Sequence, residues 1–447
     1  MIAFDAAMPG HNKTGYALAV LFAINAVNFY DRQILGALGE PIRREWRLSD
    51  GALGALTTAF TLLYAVAGVP LGRLSDRKAR TRILSAGVFV WSVLTGLCGL
   101  ARGFWELFVL RLGVGVGEAS CAPAATSLIG DLFPAERRGR ALAVFMLGLP
   151  FGIAASYAVS SGIAQAWGWR SAFYLAALPG FACAVAALLI AEPRRGVSES
   201  RDVGVRWREG SPYRLVLSIP TMWWLILSGA VHNFGMYAIS SFLSPYLMRF
   251  HGASLRSAGF VSMLVYGVGG VMGLLLGGAS ADAAVRRRPN GRVMVAAAAI
   301  LGSVPLLYLA LGRAPGDTRG FALLAGAAVI LLYVYYPAVY SAIQDVVEPA
   351  LRGTAMALYF LAMYVLGASL GPFATGLLSD RFTARAARAA GVLEMTPRAL
   401  EPFRATGLHA AMQVLPVLGV VLILVLLAAS RTVTSDRERL EAWTRES

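Results

Sequence analysis

The chain has 447 residues, 57% hydrophobic and 15% charged, with a mean hydropathy of +0.62 and a formal net charge of +15. A soluble domain carries about 25% charged residues, so this composition excludes a soluble globular protein and assigns a polytopic membrane protein. The excess positive charge is nearly all arginine in short loops between apolar runs. That pattern argues against nucleic acid as a partner and for topology signals and contacts to anionic lipid.

Residues 1–14 read as a short polar tail. Apolar runs that span ~30 Å of hydrocarbon at about 1.5 Å per residue follow at 15–38, 51–72, 82–101, 104–129, 140–164 and 171–191. The first is too long and too polar at its centre for a signal peptide. Residues 192–213 (EPRRGVSESRDVGVRWREGSP) are too polar to insert and mark the domain boundary. Six more runs occupy 219–248, 256–280, 291–312, 319–344, 354–378 and 407–429. The expected organisation is a cytoplasmic tail (1–14), an N-terminal six-helix bundle (15–191), a cytoplasmic linker (192–213), a C-terminal six-helix bundle (214–430) and a cytoplasmic C-terminal tail (431–447). With the N-terminus inside, cytoplasmic segments hold 24 of the 40 Lys and Arg, opposite loops hold 14, and Arg32 and Arg111 lie within helices. This bias places both termini in the cytoplasm. Cys98, Cys121 and Cys183 lie in apolar runs without metal-ligand spacing, so no disulfide, metal or cofactor is expected.

The halves repeat. Gly72 and Asp76 after the second run match Gly278 and Asp282 after the eighth. Arg138-Gly139 matches Arg352-Gly353, and Gly148, Pro150 and Gly152 find counterparts in Gly367, Gly371 and Pro372. Six helices, a linker and six equivalent helices make an all-α membrane protein: twelve transmembrane helices in two pseudo-symmetric six-helix bundles, the layout of a transporter built from parallel repeats.

Charges inside apolar runs are costly and mark function or a partnered core. Arg111 and Glu118 are seven residues apart, so they project from nearly one face, ~10 Å apart along the axis. Asn25, Asn28 and Arg32 share a face of the first helix, with Asp31 about 100° from Arg32. Asp31 is an expected partner of Arg111, while either Arg32 or Arg111 can reach Glu118. A static ion-pair network is the bland reading. The functional reading, which we favour, has Glu118 (with Asp31 second) exchanging a proton. Arg32, ahead of Arg111, then meets an anionic substrate group with help from Asn25 and Asn28. In the C-terminal half, Tyr333, Tyr336, Tyr340 and Gln344 share one face. Tyr359, Phe360, Met363 and Tyr364 lie on the eleventh run, and His232, Asn233 and Tyr237 on the seventh. Of these, His232, Asn233, Tyr237, Tyr336, Tyr340, Tyr359, Phe360 and Met363 are expected to wall the apolar part of a substrate, against simple helix packing as the alternative. Gly72, Asp76, Arg77, Arg80, Arg138 and Asp282 form an expected gate on the cytoplasmic side. No nucleophile elbow or phosphate loop occurs, and EPRR (192–195) reads as a loop sequence.

GRLSDRKAR (72–80) resembles the G-x-x-x-D-R-x-G-R loop signature of the major facilitator superfamily, with Ala79 where the signature has glycine. NFYDRQI (28–34), RLGVGVGEAS (111–120) and DLFPAERRGRA (131–141) together resemble the Spinster branch of that superfamily. The resemblance implies a bacterial cell-membrane transporter working by alternating access. It further implies an amphipathic, lysolipid- or sphingoid-like substrate, proton coupling and a monomer. Two alternatives stand beside it: a proton-linked transporter of small organic anions or drugs, and a membrane-embedded lipid enzyme.

Overall fold

The computed structural model describes residues 11–193, 211–348 and 351–446, and every regular element among them is helical. Twelve long helical segments carry the chain. They are α1 (His11–Trp46), α2 (Asp50–Arg77), α3 (Arg80–Cys98), α4 (Phe104–Leu132), α5 (Arg137–Trp167), α6 (Trp169–Leu188), α7 (Pro220–Arg249), α8 (Leu255–Val285), α9 (Gly291–Leu311), α10 (Thr318–Val346), α11 (Arg352–Ala389) and α12 (Pro397–Ala442). A short helix, Pro212–Leu217, precedes α7. Ten of the twelve are apolar and long enough to cross a membrane. The other two, α1 and α7, hold buried polar groups, including Asp31 and Arg32 on α1 and His232 and Asn233 on α7. Large apolar side chains lie open on the surface, such as Trp105 at 71% and Leu275 at 69% exposure. Such a surface is stable against lipid and not against water.

Several helices run longer than hydropathy alone indicates. α1 continues to Trp46, with Pro41 inside it, and stops before Arg47, with its positive φ; α11 continues to Ala389 and stops before Gly391, also at positive φ. Gly168, at φ +82°, makes the turn from α5 to α6. π-helical turns interrupt α5 at Ser156–Ser160, α8 at Leu264–Val268 and α11 at Met363–Ala368.

Contacts divide the chain into two units: Met1–Leu38 with Leu62–Val203, and Gly39–Thr61 with Gly204–Ser447. In the first, α5 lies against α1 so closely that a Cβ on Gly152 would collide with the Ala26 carbonyl oxygen. In the second, Gly371 of α11 meets the Phe234 carbonyl of α7 in the same way. The internal repeat therefore extends to backbone packing. It extends to side chains as well. Arg80 donates to the Ser127 carbonyl and pairs with Asp131, while Arg292 donates to the Ser341 carbonyl and pairs with Asp345.

Helix starts are satisfied by distant groups. Ala79 gives α3 no side-chain cap; instead the Glu192 carboxylate accepts from the Thr81 N–H at 2.9 Å and from its hydroxyl at 2.9 Å. Asp436 does the same for Thr221 at the start of α7. A carboxylate at a helix N-terminus satisfies orphan donors and complements the dipole. Glu192 is held below the usual carboxylate range: partial burial works against its charge, and the Thr81 N–H and Arg80 guanidinium outweigh it.

Candidate functional site

In the first unit, α1 and α4 place four ionisable groups in the interior. Asp31, Arg111 and Glu118 have no exposure, and Arg32 has 8%. Asn28 joins two of them: its Nδ2 donates to Glu118 Oε2 at 3.0 Å, and its Oδ1 accepts from Arg32 Nη2 at 3.3 Å. Arg32 Nη2 itself lies 3.7 Å from Glu118 Oε2. Of the two arginines able to reach Glu118, the fold brings Arg32. Its guanidinium carbon lies over the ring of Tyr64 of α2, 4.2 Å from the ring centre, and over that of Phe29, at 4.8 Å. Rings at this distance attract the cation, and the planar fork of a guanidinium suits bidentate anion recognition.

Asp31 takes a different partner than Arg111 alone: Thr95 of α3 donates to its Oδ2 at 3.2 Å, with Arg111 within electrostatic reach. Asn25 is committed to the Phe145 carbonyl of α5 at 2.7 Å and so braces the helices. Two further bonds fasten α1 to the π-turn of α5, from Ser160 to Tyr30 and from Gln33 to Tyr157. The α4 helix breaks at Ala119 and Ser120, and Ser120 Oγ donates to the Gly117 carbonyl. Glu118 therefore occupies the last helical position before a discontinuity. The GVGVGEAS sequence permits this break, since glycines weaken the helix and serine competes for its carbonyls.

In the second unit the aromatic residues of α7, α10 and α11 fall into two sets. Tyr335, Tyr359 and Ser228 form a fully buried hydroxyl chain, 2.6 Å from Ser228 to Tyr335 and 3.2 Å from Tyr335 to Tyr359. Tyr359 thus belongs to the packed interior. Tyr336, Tyr340, Phe360, Tyr364 and Tyr237 are only partly buried. Tyr336 donates to Asn233 Oδ1 at 3.0 Å, and Tyr340 lies 3.9 Å from the Met363 sulfur. His232 stacks on Tyr335 inside the unit.

Five of the six residues expected to act as a gate have described surroundings. Arg80 is buried in the clamp with Asp131 and Glu192. Arg77 is exposed, Arg138 is half-buried, and Asp282 pairs with Arg292 at 3.3 Å. Gly72 packs near Pro123 of α4. The Asp76 side chain lies outside the described residues.

At the end where α1 passes to α2, a second ionic cluster appears that the sequence reading did not isolate. Arg249 of α7 bonds Glu40 at 2.7 Å and Asp50 at 2.9 Å, and Ser379 donates to Asp50 at 2.6 Å. Asp380 accepts from the backbone N–H groups of Asp50 and Gly51, capping α2, and pairs with Arg404. Arg43 joins Glu40 to Glu401. Burial opposes the charge of Glu40, but Arg249 and Arg43 hold its carboxyl down to about 2. A sequence signal for this cluster exists: GLLSDR at 376–381 repeats GRLSDR at 72–77.

The family model described as Major Facilitator Superfamily matches residues 21–372. An MFS-type efflux pump of Mycolicibacterium smegmatis is 30% identical over 375 residues, covering 84% of this chain and 86% of that protein. Human Protein spinster homolog 3 is 29% identical over 397 residues, 83% of this chain and 76% of that protein. The crystal structure of a bacterial homolog to the human lysosomal transporter Spinster, inward-facing and unoccupied, matches with a TM-score of 0.87 at 28% identity, covering 97% of this chain and 99% of that one.

Proposed function

The chain belongs to the Major Facilitator Superfamily and resembles its Spinster proteins, so its work is membrane transport; from that premise we propose that it is a proton-coupled secondary transporter of an amphipathic, anionic-headed lipid such as a lysolipid, with both termini in the cytoplasm. The observation that carries this reading is the Arg32–Asn28–Glu118 triad. Ionised Glu118 holds Arg32. A proton added to Glu118 removes the negative charge and releases the guanidinium edge, which then binds the anionic head group. Substrate and proton are thus bound together, and deprotonation restores the internal pair and expels the head group. This coupling lets a proton gradient bias the direction of alternating access. Asp31, bonded to Thr95 and near Arg111, serves as the neighbouring charge that keeps the cluster neutral overall. The partly buried aromatic residues Tyr336, Tyr340 and Phe360 of the second unit offer apolar surface of the kind an acyl chain needs, supporting the amphipathic class.

A second reading, export of small organic anions or drugs, is favoured by the likeness to the M. smegmatis efflux pump. Purified protein in liposomes separates the two. Under an imposed pH gradient, a labelled lysophospholipid is expected to move faster than through protein-free liposomes, and collapse of the gradient is expected to abolish the acceleration. Saturable transport of small anions with no lysolipid movement would replace the first reading by the second.

A further inference from the structure

We propose that a cleft in the second unit, walled by α7, α9, α10 and α12, is a hydration site in which a small water cluster is held by the His232 imidazole and the Ser303 hydroxyl. The inference is independent of what the protein transports. His232 is 2% exposed and lines the cleft. Tyr335 lies flat on its ring with centroids 3.9 Å apart, and Tyr336 stands edge-on at 5.0 Å. Neither ring nitrogen has a hydrogen-bond partner among the described residues. A buried polar group of this kind is normally satisfied, by protein or by ordered water.

The cleft measures about 40 Å³, and apart from His232 and Ser303 its wall is mostly apolar, with Ile300, Leu307, Leu332 and Leu418. A water requires roughly 10–15 Å³ on this measure, so roughly two or three fit. One imidazole does not make a metal site. Donors and acceptors balance with water alone. A neutral imidazole presents one N–H and one bare nitrogen, so one water accepts from the first and another donates to the second. Ser303 Oγ already donates to the Ile300 carbonyl at 2.8 Å, which leaves its lone pairs to accept from the cluster. Water, which both donates and accepts, meets both demands. The site explains how helices that pack through apolar side chains tolerate a histidine in their midst.

Crystals of the full-length protein, examined with and without pressurised xenon, test the proposal. Wild-type crystals are expected to show ordered water about 2.7–3.2 Å from the ring nitrogens and no xenon in the cleft. His232→Leu, which makes the wall apolar, is expected to lose the water and take up xenon. Should that variant not fold, Ser303→Ala is expected to lose at least one water while His232 keeps its own. Xenon in the wild-type cleft, or ring nitrogens bonded directly to protein groups, would overturn the assignment.

Discussion

Arg32 and Glu118 meet across α1 and α4, 3.7 Å from Nη2 to Oε2, with Asn28 hydrogen-bonded to both. One proton on Glu118 therefore changes the environment of the single guanidinium in this triad. Two aromatic rings, Phe29 and Tyr64, lie against that guanidinium.

Glu118→Gln keeps the shape and an acceptor for Asn28 but fixes the uncharged state. Affinity for an anionic lysolipid, measured from pH 5 to 8, is expected to vary in the wild type by up to about tenfold per pH unit, the limit for one linked proton. It is expected to be flat in the variant. Asp31→Asn is expected to retain most of the dependence. Full wild-type pH dependence in Glu118→Gln would make Glu118 a structural group.

Arg32→Ala is expected to weaken binding of the same ligand by at least about 1.5–3 kcal/mol, the scale of a hydrogen bond to a charged group. Arg32→Lys should recover only part of it, because the planar fork is lost. Tyr64→Leu is expected to cost about 0.5–2 kcal/mol through loss of the stacked ring, whereas Tyr64→Phe stays near wild type. Calorimetry at one fixed pH measures all four, and unchanged affinity in Arg32→Ala would remove the residue from head-group recognition.

A Cβ on Gly376 would run into the Asp50 backbone, where α11 lies against the start of α2. Gly376→Val is therefore expected to part this seam and break the Asp380 cap on α2. Spin labels at Arg47 and Ala390 should report longer distances in the variant. An unaltered distance distribution would mean that the seam absorbs the methyl groups without opening.

Glu40 has a folded-state pKa of about 2, below its ordinary value. A depressed carboxyl contributes stability that is complete above its unfolded value near 4.5 and is lost as pH falls through the folded one. The cluster around Arg249 is thus expected to be insensitive to pH between 5 and 8 and to weaken between pH 4.5 and 2. At pH 7, Glu40→Gln should lower stability by about 3 kcal/mol, with the gap to wild type narrowing below pH 4.5. Thermal unfolding across that range checks it; a gap that changes between pH 8 and 5 contradicts the assignment.

Both termini and the segment before α7 are expected to face the cytoplasm. A single cysteine at Ser211, with Cys98, Cys121 and Cys183 replaced, should resist a membrane-impermeant maleimide in intact cells and react after lysis. Ready labelling from outside would invert the topology.

Hydropathy and helical period determined a great deal from sequence alone. They determined the apolar runs, the two-fold repeat, and the placement of Arg111 with Glu118 on one face of α4. Each follows from neighbours within a turn or two, and water, lipid and helix geometry impose them locally. Pair choice is not local. Whether Arg32 or Arg111 reaches Glu118 depends on the rotation of α1 about its axis and its register against α4, and the contact that settles it, Arg32 to Glu118, joins the first and fourth helices. Asp50 and Asp380 are separated by 330 residues, yet one caps the helix begun by the other. GLLSDR repeats GRLSDR in the sequence, but nothing local to it names its partner. The two faces of α10 carried tyrosines alike in sequence. Only packing against Ser228 and Tyr359 decided that Tyr335 belongs to the interior while Tyr336 and Tyr340 keep partial exposure. Tertiary structure decides such matters because a buried polar group must find its partner wherever the fold supplies one, and that place is set by the packing of whole helices.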